Sequence, residues 1–308
     1  MPTNLPVATL GRTGLRVTRL GFGAMEIRGS RIWNGRDVTD RQAETILNAV
    51  LDAGINFIDT ANCYGRSEEF IGRFISHRRD EFVLATKCGC LVKHKDATTD
   101  ETPHVFTREN LYRGISESLE RLKTDCIDIV QLHNPDIETC KRQRVVHWLQ
   151  EMQGRGMVRH VSISTRFPEL PTCLEWDVFD MFQVPYSAME RAHELAITAT
   201  AQAGVGTIIR GGVGKGEPGE GLGSAETWAA FAHAALDELR DEGDSRTAFM
   251  LRFTLSHPHV NTVIVGTLSA DHLAENVAAA ERGPLAPDVY AEAKRRLDAA
   301  GQSPEEMP

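Results

Sequence analysis

A (β/α)8 barrel is the fold class this sequence predicts, and three observations carry the prediction. Apolar runs of strand length alternate with segments of helical period along most of the 308 residues. Eight such runs can be read in order, at residues 20–23, 56–59, 82–86, 127–132, 158–163, 179–184, 206–209 and 262–265. The two stretches that break the rhythm, residues 88–107 and the Gly-rich 210–224, each follow a predicted strand. In a barrel that places them at the C-terminal face, where active sites are built, and loops of that length are more often functional than idle. The length suits a single barrel domain spanning residues 1–308.

Taken from the start, residues 7–10 and 17–20 form two short alternating runs around Gly11-Arg12-Thr13-Gly14, which is turn chemistry, so a small lid hairpin precedes the first barrel strand. A helix is predicted over 40–53, with Thr39 or Asp40 as its N-cap and Gly54 just past its end, and another over 108–122. No inter-domain linker or internal repeat interrupts the alternation, and the tail 302–308 is expected to be mobile.

A composition of 41% hydrophobic and 25% charged residues supports a sizeable core. The formal net charge of -9, with no basic block, argues against nucleic acid as a partner. The first residues lack a basic segment followed by an apolar one, and no later stretch reaches membrane-spanning length, so a cytoplasmic protein without a membrane partner is expected. Cys63, Cys88, Cys90, Cys126, Cys140 and Cys173 are spread too thinly for a disulfide framework. Cys88 and Cys90 alone are close in sequence, and a lone Cys-x-Cys with no second ligand pair predicts no metal.

The chemistry lies in the strand ends. Asp59 closes the second predicted strand, Lys87 follows the third, His133 follows the fourth, and Tyr64 lies in the loop after Asp59. Consecutive barrel strands are neighbours, so one rim receives all four side chains. A tyrosine hydroxyl is a weak acid; Lys87 can supply positive charge that favours the phenolate, Asp59 can keep the ammonium protonated, and His133 can hydrogen-bond the oxygen that receives the proton. Singly, Asp59 with Lys87 reads as a structural ion pair, His133 as a satisfied rim histidine and Tyr64 as a pocket wall; their joint placement favours catalysis. A hydrolase would need two carboxylates across a cleft, and only Asp136 offers itself beside Asp59.

In order and spacing, Phe57-Ile58-Asp59-Thr60-Ala61 with Tyr64-Gly65, then Ala85-Thr86-Lys87, then Gln131-Leu132-His133 resembles the catalytic signature of the aldo-keto reductase superfamily. The resemblance runs from Leu10-Gly11-Arg12-Thr13-Gly14-Leu15 to Ala274-Glu275-Asn276. It implies that Tyr64 is the general acid, that Lys87 and Asp59 tune it, that His133 orients substrate, and that hydride comes from a reduced nicotinamide. It further implies cofactor contacts at Gly23, Ser164, Gln183, Gly266, Thr267, Leu268, Ser269, His272, Glu275 and Asn276. After the seventh strand the sequence departs from the family's usual Ser-Pro-Leu type, and Arg210 and Lys215 in the Gly-rich loop there are candidates for the cofactor diphosphate. Thr165 stands where many relatives have asparagine, and a threonine cannot offer both an amide oxygen and an NH2 group. Gly266 and His272 stand where strongly NADPH-selective relatives carry lysine and arginine, so NADPH is expected from the family's habit, with NADH possible. The expected partner is a small carbonyl or alcohol substrate, with Met25, Ile27, Trp33 and Tyr186 as candidates for its pocket. The channel-associated branch of the superfamily supplies the alternative of a nicotinamide-binding regulatory subunit. Nothing in the sequence specifies an oligomeric state.

Overall fold

The computed structural model describes residues 4–219 and 221–307. Eight parallel strands close into a barrel: β1 (Leu20–Gly23), β2 (Phe57–Asp59), β3 (Val83–Cys88), β4 (Ile127–His133), β5 (Val158–Ser164), β6 (Met181–Pro185), β7 (Gly206–Arg210) and β8 (Thr262–Val265). Each pairs with its neighbour in chain order, and β8 pairs back onto β1. Such a sheet has no free edge.

The helices pack outside through apolar stripes. In Asp40–Asp52 the buried residues are Ala43, Ile46, Leu47, Val50 and Leu51, the i, i+3, i+4, i+7, i+8 pattern of an amphipathic helix. Thr39 is its N-cap: Gln42 N–H donates to the Thr39 hydroxyl, and Thr39 N–H donates to the Gln42 side-chain oxygen, a reciprocal capping box. Gly54 follows at positive φ, where glycine carries no Cβ penalty. The helix Arg108–Leu122 starts on Thr107, whose hydroxyl accepts from Asn110 N–H.

Inside the barrel, Phe57, Ala85, Ile129, Met181 and Ile208 form an apolar layer from five strands. Leu10 and Val17 of the N-terminal hairpin, Val7–Thr9 paired with Arg16–Thr18, join it from below. The predicted lid therefore plugs the N-terminal mouth, the end opposite the strand ends that carry the reactive residues.

The predicted strands are all present, with shifted ends. β3 runs through Lys87 to Cys88, and His133 and Ser164 are the last residues of β4 and β5 rather than loop residues. Strand geometry thus fixes the direction of each of these side chains. The sixth strand starts at Met181, two residues later than predicted, because the Phe179 carbonyl serves Arg12 and the Asp180 carboxylate accepts from Val161 N–H. Residues 88–107 are not bare loop: Lys93–His94 pairs with Asp100–Glu101 as a small antiparallel ribbon. The tail, expected to be mobile, is anchored as far as it is described. Gln302 carbonyl accepts from Arg191, Glu305 N–H donates to Ala192, and Met307 packs on the core, while Pro308 lies outside the described residues. Among the described residues no helix is long and apolar enough to cross a membrane.

Candidate active site

The barrel interior changes character one pleat above its apolar layer. Side chains two residues apart on a strand face the same way, so Phe57 is followed inward by Asp59, Ala85 by Lys87, Ile129 by Gln131, Met181 by Gln183 and Ile208 by Arg210. The first four of these polar side chains make one network. Lys87 Nζ donates to Asp59 Oδ2 at 2.5 Å and to the Thr60 carbonyl at 2.8 Å, while Gln131 Nε2 and Gln183 Nε2 donate to Asp59 Oδ1 at 2.6 and 2.8 Å. All four side chains are almost fully buried. A buried charge pair is tolerable only when its remaining valences are met, and here two amides meet those of the carboxylate.

Tyr64 sits above this network in a loop held from several sides. Thr60 N–H donates to Ala85 carbonyl, Asn62 Nδ2 donates to Cys90 carbonyl, and Ser67 N–H donates to the Tyr64 carbonyl. Gly65 follows at φ +44°, and a Cβ there would lie 2.2 Å from the Arg28 carbonyl oxygen, so only glycine lets the Tyr64 loop close on the loop after β1. The Lys87 ammonium lies 4.9 Å from the centre of the Tyr64 ring, and the His133 ring centre lies 6.2 Å from it. The four predicted catalytic side chains are thus brought together.

Two loops wall the site. The loop after β1 packs Met25 against Ala61, Cys63, Tyr64 and Cys90 and sets the half-exposed Trp33 edge-on to Tyr64, ring centres 5.9 Å apart. Arg28 braces it from within, donating to the Met25 and Ile32 carbonyls. Arg31 ties it to the loop after β3, pairing with Asp100 at 2.6 Å and donating to the Asp96 carbonyl. Met25 and Trp33, candidates for the substrate pocket, border Tyr64. The other two pocket candidates turn inward: Ile27 is a core residue, and Tyr186 is wholly buried, its hydroxyl 3.0 Å from that of Tyr290 beside Glu194. A strand-end position alone did not reveal that these two side chains turn into the barrel wall.

Burial and charge set the resting protonation of the site. Burial pushes the Tyr64 phenol up to about 12, and the nearby Lys87 charge only pulls against that rise. Tyr64 is therefore a protonated donor at rest, and Lys87 acts in the expected direction, favouring the phenolate that proton donation leaves. For Lys87 burial disfavours the ammonium, but the charge and hydrogen bond of Asp59 together with the neighbouring Tyr64 and Cys63 outweigh it, and the amine ends above its ordinary range. Burial, then Lys87, His104 and Arg210, hold His133 well below the usual imidazole range, so its ring is neutral near pH 7.

The predicted cofactor residues ring the same mouth. At the β8–β1 junction a Cβ on Gly266 would lie 2.4 Å from the Gly23 carbonyl oxygen, so the backbones at Gly23 and Gly266 meet without side chains between them. Thr267 Oγ1 accepts from Ser269 N–H, and Ser269 caps the helix Ala270–Arg282, which carries exposed His272, half-buried Glu275 and buried Asn276 on its first turns. A helix N-terminus of this kind suits a phosphate. Ser164 Oγ donates to Asn134 Oδ1 at 3.0 Å. Arg210 closes β7 with a guanidinium whose buried Nε has no hydrogen-bond partner among the described residues, and its charge acts on His133 and Tyr64 alike. An unpaired buried donor asks for an acceptor. Lys215 lies beyond it at positive φ in a loop closed by Leu222 N–H on its carbonyl. Gln183, expected at the cofactor, donates its amide to Asp59, which leaves its carbonyl oxygen as the atom for a ligand.

Sequence reasoning missed Gln131, although the two-residue period from Ile129 exposes it once the strand direction is known. It also missed Cys63, Cys90 and His104, which meet His133 only through the folded loops.

The sequence profile described as Aldo/keto reductase family matches residues 19–297. The chain is 26% identical over 287 residues to the "Uncharacterized oxidoreductase YqkF" of Bacillus subtilis, covering 88% of this chain and 90% of that one. It is 27% identical over 312 residues to a "Probable voltage-gated potassium channel subunit beta" of Oryza sativa, covering 90% and 91%. Among solved structures, the holo form of aldo-keto reductase AKR11C1 from Bacillus halodurans superimposes with a TM-score of 0.82 at 26% identity, covering 95% of this chain and 96% of the other.

Proposed function

The chain belongs to the aldo/keto reductase family, and from that premise we propose that it reduces an aldehyde or ketone to the alcohol, or runs the reverse oxidation, with Tyr64 as general acid and base and NADPH as its preferred nicotinamide. The observation that carries the reading is the closed network of Lys87, Asp59, Gln131 and Gln183 directly beneath Tyr64. A purely structural ion pair needs its carboxylate satisfied, as the two amides do, but it does not need a tyrosine ring over the ammonium with a histidine ring beside it.

The residues present suit a dinucleotide. The unpaired Arg210 Nε, the bare backbone at Gly23 and Gly266, and the capped helix start at Ser269 offer a guanidinium, close approach and N–H groups to a diphosphate and an adenosine phosphate. In this reading Lys215, Thr267, His272, Glu275 and Asn276 would hold the adenosine end, and Ser164, Asn134 and the Gln183 carbonyl oxygen would take the carboxamide. A bound reduced nicotinamide supplies the hydride for the carbonyl carbon. Tyr64 gives its proton to the carbonyl oxygen as negative charge develops there, and takes it back in the oxidation. Lys87, held charged by Asp59, stabilises the phenolate left behind. His133, neutral, hydrogen-bonds the same oxygen and fixes its position, while Trp33 and Met25 exclude water around the substrate. His272 in place of a permanent cation makes the preference for NADPH over NADH a modest one. The reading carries with it a one-domain cytoplasmic enzyme acting on a small molecule.

Titration of the purified protein with NADPH and with NADH, followed by nicotinamide fluorescence and then by addition of a reactive aromatic aldehyde, tests this. Tighter binding of NADPH, followed by oxidation, supports it. Binding without oxidation by any carbonyl favours a regulatory subunit of the kind named in the rice relative, and binding of neither cofactor removes the reading altogether.

A further inference from the structure

Beside Tyr64, two thiols and an imidazole converge. Cys90 Sγ lies 3.0 Å and Cys63 Sγ 3.5 Å from His133 Nδ1, and all three ligand atoms are within 4.8 Å of one another. All three residues are buried, and both cysteines are free. They come from separate parts of the chain: the Tyr64 loop, the loop after β3, and the end of β4. Their convergence is therefore a product of the fold rather than of local sequence, and the reductase reading uses neither thiol.

We propose that Cys63, Cys90 and His133 Nδ1 form a binding site for a Zn²⁺-class ion, a Cys2His set with an open fourth position. The distances fit. With metal–sulfur bonds of about 2.3 Å and a metal–nitrogen bond of about 2.05 Å at tetrahedral angles, the sulfur–nitrogen edges come to about 3.6 Å. The Cys63 edge already has this length, and the Cys90 sulfur needs to retreat by about half an ångström. The charge also fits, since two thiolates cancel the dication and add no net charge near the Lys87 ammonium. His104 is bridged to Cys90 across the loop, with its ring centre 5.3 Å from that of His133. The expectation of no metal weighed Cys88 with Cys90; Cys88 packs into the main core instead, and Cys63 supplies the second sulfur.

Loading does two things. An ion on Nδ1 places the remaining ring proton on Nε2, fixing His133 as a donor. It also ties the loop after β3, through Cys90, to the barrel rim beside Tyr64. The site acts on the substrate side of the mouth, and its occupancy does not depend on turnover.

The test is titration of the reduced, full-length protein with Co²⁺, read by absorption. We expect one Co²⁺ per chain with the intense sulfur-to-metal and ligand-field bands of a tetrahedral thiolate site, bleached by Zn²⁺. Cys63→Ser and Cys90→Ser each weaken uptake by more than about 100-fold, beyond what loss of a supporting hydrogen bond causes, while Cys140→Ser leaves it unchanged. Absence of thiolate bands, or full bands in either ligand variant, overturns the proposal. Alkylation of the wild-type protein followed by peptide mass spectrometry gives an arm free of folding defects: Zn²⁺ must protect Cys63 and Cys90, and equal labelling with and without the ion also overturns it.

Discussion

Replacing Asp59 by asparagine removes the charge that keeps Lys87 protonated in a buried position, and the cost can be worked out. Lys87 Nζ meets Asp59 Oδ2 at 2.5 Å with both side chains out of solvent. Breaking a buried pair by deleting one partner costs about 3–5 kcal/mol. The amine can escape by shedding its proton, which from an ordinary lysine pKa costs about 4.6 kcal/mol at pH 7 but only about 1.2 kcal/mol at pH 9.5. In the variant the folded-state pKa of Lys87 falls below its unfolded value, the folded chain binds fewer protons, and stability rises with pH across this window. In the wild type the folded pKa is raised, so the pair's contribution is fully present below the unfolded pKa and is lost only as pH rises through the higher folded value. Urea unfolding of Asp59→Asn against wild type is therefore expected to show a loss of about 4 kcal/mol at pH 7 that shrinks by about 3 kcal/mol at pH 9.5. A loss of the same size at both pH values would refute the assignment of Lys87 as a buried ammonium held by Asp59.

Tyr64→Phe is expected to keep nicotinamide affinity while lowering kcat by about 10²–10⁴-fold, and, because the phenol titrates at about 12, wild-type reduction should not lose rate through Tyr64 between pH 6 and 9; near-normal turnover of the variant removes Tyr64 as donor. Arg210→Met should weaken dinucleotide affinity by about 10–100-fold without changing the fold, since it deletes a charged donor whose buried Nε has no hydrogen-bond partner among the described residues; unchanged affinity by fluorescence titration would contradict its role. Gly266→Ala forces a methyl group to within 2.4 Å of the Gly23 carbonyl and should cost about 1–3 kcal/mol by urea unfolding, with cofactor affinity falling alongside.

The barrel was legible because each strand is a short apolar run and each helix carries its own cap, as Thr39 and Gln42 show. The end of the hairpin that meets the barrel was not, since the contact of Gly11 with Gly206 joins residues far apart in sequence. Asp59, Tyr64, Lys87 and His133 could be read from strand ends, and the structure gathers them at one mouth. Gln131 was hidden in an apolar strand and Gln183 was read toward the cofactor, because one sequence does not say that both amides turn onto Asp59. Tyr186 misled because a residue one step past a strand end can turn either way, and the hydroxyl of Tyr290 from the far end of the chain settles its direction. The Cys63, Cys90 and His133 cluster depends wholly on loop paths that the sequence pattern does not encode.

The most direct measurement of the central claim is isotope transfer. The protein is incubated with NADPH deuterated at both C4 positions and a reactive aromatic aldehyde, and the product is read by mass spectrometry. A nicotinamide-dependent reductase yields alcohol carrying one deuterium on the former carbonyl carbon, at a rate that falls with Tyr64→Phe. Alcohol without the label, or no alcohol from a protein that binds the cofactor, would contradict the account.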